Sequence, residues 1–204
     1  NTMLEVATSS NLWVNLFIMV LCAPVAEELI FRKLLIDRLA QYGEGVAVLF
    51  SGLMFGLFHG HLNQFVYAFV LGLCFGFIYV KTGNIRYTIG LHMLVNFLGS
   101  VLGVAILKWL GDDFLSIASD PAGMMSYMTG NFGKLIVYFI YIFLLLGVAI
   151  AGIILFIVNL KKIRFQSGMN TIPKGKRFST TVLNVGMALY MIVWIVIIIV
   201  QLFQ

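Results

Sequence analysis

Asn11-Leu-Trp-Val-Asn-Leu-Phe-Ile-Met-Val-Leu-Cys-Ala-Pro-Val-Ala-Glu27-Glu28-Leu-Ile-Phe-Arg32 decides the fold and raises the functional question in the same breath. Residues 12–26 carry no charge and read as a membrane-spanning helix. Two adjacent carboxylates then follow inside that stretch. A charged side chain at the centre of a bilayer costs about 2.5–3.5 kcal/mol on insertion scales, so a side-by-side pair calls for a use. The bland alternative makes Glu27 and Glu28 the interfacial end of the helix. Against it stand two more ionisable residues, His59 and His92, in apolar runs further on.

The rest of the chain agrees with a membrane reading. Of 204 residues, 61% are hydrophobic and 10% charged, against about a quarter charged in globular domains. Apolar runs recur at about 12–31, 46–60, 65–80, 87–109, 135–160 and 181–203. They are continuous rather than alternating, which excludes a β-barrel. The fold class is therefore all-α, a polytopic transmembrane helical bundle of about six spans. It forms a single integral membrane domain over 1–204, with a motif-bearing core at about 12–109 and a C-terminal two-span segment at about 135–203. The second and third spans are short for a crossing of about 20 residues. Cys22 and Cys74 both lie in apolar runs and are expected to be buried thiols, giving neither a disulfide framework nor a metal motif. Residues 1–10 hold no Lys or Arg, so no signal peptide is evident, and a start at Asn1 points to a trimmed N-terminus.

The net charge of +5 would suggest nucleic acid in a soluble protein. Here the positive-inside bias of loops accounts for it, and no nucleic-acid partner is expected. Placing the 32–45, 81–86 and 161–180 loops in the cytoplasm gathers Arg32, Lys33, Arg38, Lys81, Arg86, Lys161, Lys162, Arg164, Lys174, Lys176 and Arg177 on one side. Lys108 and Lys134 remain outside, together with Asp112, Asp113 and Asp120. The stretch from Pro121 to Gly133 reads as one long external loop. Six Lys/Arg between 161 and 180 also suit an anionic-lipid surface, though a solvated topogenic loop explains them more simply.

Helix geometry splits the glutamate pair. Successive residues are about 100° apart, so Glu27 and Glu28 point to different faces, while Arg32 falls one turn from Glu28 at i,i+4. Glu28 thereby gains a buried partner and Glu27 is left free. Pro24, just upstream, lacks an amide hydrogen and weakens the helix there. Phe55-Gly-Leu-Phe-His59 lies as far after the Gly43 turn as Glu27 lies before it, which puts Glu27 and His59 at similar depth in a hairpin. His61, two residues on, reads as an external-end residue. His92-Met-Leu-Val-Asn96 places a histidine and an asparagine on one helical face. Burying both demands hydrogen-bond partners, and ordinary inter-helix bonding is the simpler account. The depth argument sets His92 about 10 Å nearer the cytoplasmic side than His59.

Glu27, His59, His92 and Asn96 thus converge from three helices. Glutamate and histidine can deprotonate a water while histidine and asparagine donate to an oxyanion. Alternatively, Glu27, His59 and His92 could hold a zinc ion with an open position for water. Either arrangement hydrolyses an amide inside the membrane.

Three motifs carry a resemblance: Glu27-Glu28-Leu-Ile-Phe-Arg32, Phe55-Gly-Leu-Phe-His59 and His92-Met-Leu-Val-Asn96. In order and spacing they resemble the CAAX protease and bacteriocin-processing family of intramembrane proteases. The resemblance covers about residues 20–100 and implies an intramembrane endopeptidase acting on a membrane protein or peptide. By it, Glu27 with His59 activates the water, His92 with Asn96 forms the oxyanion hole, and Glu28 and Arg32 support them. It favours a metal-free, glutamate-type mechanism over a zinc-dependent one. The compact size and basic loops resemble prokaryotic members, implying a bacterial plasma membrane and a non-prenylated or unknown substrate. Those members include bacteriocin-immunity proteins, so a non-catalytic immunity or scaffold role is the competing expectation. A proton-coupled transporter predicts an internal repeat, and none stands out.

Overall fold

A computed structural model of the chain describes residues 10–111, 114–117, 119–170, 172–176, 179–180 and 183–202. Asp112, Asp113 and Arg177, used in the loop-charge argument, lie outside these residues. Every regular element among the described residues is helical. Helix α1 runs over Leu12–Tyr42, α2 over Glu44–Phe58, α3 over Leu62–Thr82, α4 over Ile85–Leu110, α5 over Pro121–Lys162 and α6 over Val185–Leu202. Five of them are long and apolar enough to cross a bilayer. With its 15 residues, α2 reaches only about 22 Å, short of the roughly 30 Å hydrocarbon core.

Several boundaries differ from expectation. The expected 32–45 loop is helical as far as Tyr42. Its charges do not break the helix because Lys33, Asp37 and Arg38 are exposed while Phe31, Arg32 and Ile36 are buried. The break comes at Gly43, whose φ of 112° is open to glycine and closed to most side chains. The third span was read as short, yet α3 has 21 residues. The expected external loop from Pro121 to Gly133 is the first part of α5. Asp120 caps it by accepting from the amides of Ala122 and Gly123, and Pro121 sits where its missing amide hydrogen costs nothing. The helix is kinked at Asn131, whose φ of −128° and ψ of 24° are non-helical. Cys22 and Cys74 are exposed on their helices rather than buried.

The chain divides into two compact units, Asn1–Ala23 with Met93–Arg164, and Pro24–His92 with Phe165–Gln204. In the first, neutral polar side chains fasten helices to one another. Asn15 Nδ2 donates to the Ser100 carbonyl at 3.3 Å, Asn96 Nδ2 to that of Met19 at 2.8 Å, and the Tyr141 hydroxyl to that of Leu98 at 2.6 Å. Leu110, Phe114 and Leu135 form its buried apolar cluster.

The second unit holds the site. Its α2–α3 hairpin turns at Gly60 and closes on small residues: a Cβ on Gly72 would lie 2.9 Å from the Cα of Gly52. Without a hydrophobic drive between helices in lipid, such close approach is what packs them. Phe31, Phe55 and Ala68 bury one apolar cluster, and Ile36, Ala47 and Tyr79 another. Helix α6 docks on α2 through the Tyr190 hydroxyl, 2.8 Å from the Met54 carbonyl, and through the Phe58 and Trp194 rings. The start of the 161–180 loop is held too. Glu44 accepts from Lys81 and from the Gln166 amide, and Phe165 meets Phe77 edge to face.

Candidate active site

Helix α1 is not a uniform α-helix. π-helical stretches cover Leu16–Cys22 and Leu29–Ile36, flanking the α-helical segment Ala23–Glu28. The first ends just before Pro24, whose ring cannot sit over a normal α turn. Wide turns of this kind are frequent at functional sites, because they re-aim side chains. Here they bracket the two glutamates.

Glu28 and Arg32 form the expected i,i+4 pair, with Nε 2.9 Å from Oε2 and both side chains wholly buried. Arg32 is hemmed in by aromatic faces, its guanidinium carbon 4.7 Å from the Phe55 ring centroid and 5.7 Å from that of Phe75. Cation–π attraction grows when the cation is desolvated, as here. Arg32 Nη1 donates to Ser51 Oγ at 3.0 Å, and that hydroxyl donates to the Phe31 carbonyl at 2.8 Å.

His92 sits between the two glutamates. Its Nδ1 lies 3.1 Å from Glu28 Oε1, and its Nε2 lies 3.9 Å from Glu27 Oε2. The expectation that the adjacent carboxylates face apart therefore needs correction. An angular separation of about 100° still lets both reach one imidazole, each meeting a different nitrogen. Phe55 and Phe75 pack on the His92 ring at 5.6 and 5.5 Å.

His59 follows the last residue of α2, and its Nδ1 lies 2.8 Å from the Phe55 carbonyl. Its ring is 4.8 Å from that of Phe55, so Phe55 is a neighbour common to both histidines. A carbonyl and a carboxylate are acceptors only, which puts the hydrogen on Nδ1 in each ring and leaves each Nε2 outward. Glu27 Oε2 is buried without a hydrogen-bond partner among the described residues. A gap of 3.9 Å is too long for a direct hydrogen bond, and Glu27 Oε2 is fully enclosed.

Asn96, one turn after His92 on α4, belongs to the other compact unit, where its amide is bonded to Met19. His61 precedes α3, where its carbonyl accepts from the Phe65 amide. Among the described residues no group of three His, Cys, Asp or Glu side chains is placed to hold a metal ion.

Sequence reasoning missed Ser51 and the aromatic walls. A serine in an apolar helix is unremarkable by itself. Its place one turn before Phe55 on the helix that faces Arg32 was the available signal.

Residues 9–98 match the Rce1-like family model, type II CAAX prenyl endopeptidase. The matched stretch contains all three motifs, and over it the resemblance to that family holds. "Putative membrane peptidase YdiL" of Bacillus subtilis (strain 168) is 33% identical over 74 residues. That alignment covers 36% of this chain and 30% of the relative. No solved structure matches the chain. Together with the apolar helices, these likenesses identify an integral membrane protein.

Proposed function

We propose that this protein is an intramembrane endopeptidase that hydrolyses a peptide bond of a membrane-embedded protein or peptide. One observation carries the reading: Glu27 Oε2 is buried, has no hydrogen-bond partner among the described residues and lies 3.9 Å from a histidine nitrogen whose other side is clasped by a buried ion pair. Likeness to a peptidase family over the motif-bearing stretch supports the same class of reaction.

In the proposed mechanism Glu27 takes a proton from a water held between it and His92 Nε2. The resulting hydroxide oxygen bonds to the scissile carbonyl carbon. As the C–N bond breaks, Glu27 passes that proton on to the leaving amine. Glu28 is not the base, because Arg32 and His92 already engage it. It holds His92 in one tautomer and orientation, as the carboxylate of a catalytic triad holds its histidine. His59, anchored by Nδ1, offers a second Nε2 to the water or the substrate. We assign the location to a bacterial plasma membrane, with the 32–45, 81–86 and 161–180 segments cytoplasmic.

The test is purified protein with a library of membrane peptides, prenylated and unprenylated. Wild type is expected to cleave at least one, and Glu27→Gln to cleave none while remaining folded. Undiminished cleavage by Glu27→Gln would refute the mechanism, and a wild type inert toward every peptide would favour the immunity or scaffold reading.

A further inference from the structure

We propose that Ser51 is a positioning residue for the site, fixing the His92 imidazole through Arg32 and Glu28. The activity part of this inference rests on the endopeptidase reading; the geometric part does not.

Ser51 is wholly buried on α2 and bridges two groups of α1, the Phe31 carbonyl and the Arg32 guanidinium. The direction of each bond is forced. A guanidinium has no acceptor, so Arg32 must donate to Ser51 Oγ, and a carbonyl has no donor, so the Ser51 hydrogen must go to Phe31. The run continues one way through Glu28, which faces Arg32 Nε through Oε2 and His92 Nδ1 through Oε1. Ser51 therefore stands at the head of a polar chain that ends at His92 Nε2, opposite Glu27.

Arg32 has few other polar holds. Its Nε and Nη2 are both buried without a hydrogen-bond partner among the described residues, Nε meeting Glu28 Oε2 as an ion pair only, and its remaining neighbours are the faces of Phe55 and Phe75. Those faces attract the cation without fixing its rotation in its own plane. Remove the Ser51 oxygen and the guanidinium keeps a single polar contact, that with Glu28. It is then free to turn toward the carboxylate and draw it off His92. Groups that orient metal-bound histidines from behind typically cost about 10–100-fold when lost, and a loss of that order is expected for the same role at His92.

The experiment uses the full chain in lipid bilayers, labelled with 15N at its three histidines. Ser51→Ala and the near-isosteric Ser51→Cys are compared with wild type. Both are expected to fold, to lower kcat by about 10–100-fold with KM little changed, and to displace the pH profile of kcat/KM. The ring-nitrogen resonances of His92 should move in both variants, which a mere packing defect on α2 does not require. Unmoved His92 resonances in a folded variant overturn the proposal whatever the activity, and so does failure of both variants to fold, which would make Ser51 a packing residue. If wild type cleaves no peptide while the His92 resonances still respond to Ser51, the positioning role stands and the endopeptidase reading falls.

Discussion

The two compact units solve the same problem in opposite ways. Each buries polar side chains within an apolar chain. In the unit containing Met93–Arg164 the polar groups are neutral, and Asn15, Asn96 and Tyr141 each donate to a backbone carbonyl on another helical stretch. In the unit containing Pro24–His92 they are charged or titratable and meet one another: Glu27, Glu28, Arg32 and His92. The first pattern satisfies hydrogen-bond needs at little electrostatic cost. The second accepts the desolvation of several charges and still leaves Glu27 Oε2, Glu28 Oε2, Arg32 Nε and Arg32 Nη2 without hydrogen bonds among the described residues. Fastening does not require that. On the proposed reading, the catalytic residues belong to the second unit.

The largest effects should come from cutting the charged cluster where it is open. Glu27→Gln and His92→Ala, each keeping its neighbours, are expected to lower kcat by about 10³-fold or more in the peptide assay, the scale of a lost general base or of its partner. His59→Ala is expected to fall in the same class. If these variants retain wild-type turnover, the two units differ only in the style of their fastenings.

Next in size is a cut where the cluster is closed. Glu28→Leu leaves Arg32 buried without its counter-charge, and removing one member of a buried pair costs about 3–5 kcal/mol. The measurement is unfolding in detergent against denaturant, which should show a clear drop in midpoint. Replacing Glu28 and Arg32 together by apolar residues should recover much of that stability and none of the activity.

Asn96→Ala sharpens the comparison from the other side. A residue that only bonds the Met19 carbonyl should cost about 1 kcal/mol of stability and change kcat by less than about tenfold. An oxyanion donor would cost about 10²–10³-fold in kcat. We expect the smaller figure, and the larger would draw Asn96 into the catalytic set.

The smallest expected change is none. Thorough chelation, with elemental analysis to verify metal removal, should leave cleavage intact if Glu27 works as a base. Loss of activity restored by zinc would return Glu27, His59 and His92 to the role of ligands.

How much of this was readable in advance depends on what kind of information each residue carries. The Glu28–Arg32 pair was legible because i,i+4 spacing along one helix is a local fact. The number of long apolar runs was legible for the same reason, since length and hydropathy need no neighbours. The Pro121–Gly133 stretch misled because Asp120 with Pro121 can open a helix as readily as it can open a loop. The spacing of Glu27 and Glu28 predicts that they face apart, which holds around the helix axis but says nothing of an imidazole from α4 set between them.

The sequence by itself determined that the chain is a helical membrane protein, that Glu28 has a partner one turn away, and which few polar residues need explaining. Those conclusions rest on periodicity and on the cost of polar groups in lipid, and both act locally. Only the tertiary structure decided that His92 touches both glutamates, that Ser51 stands behind Arg32, and that Phe55 is shared by the two histidines. Each of those contacts joins residues on different helices. Which faces meet is settled by the close packing of Gly52 on Gly72 and by the wide turns of α1, and no residue spacing records either.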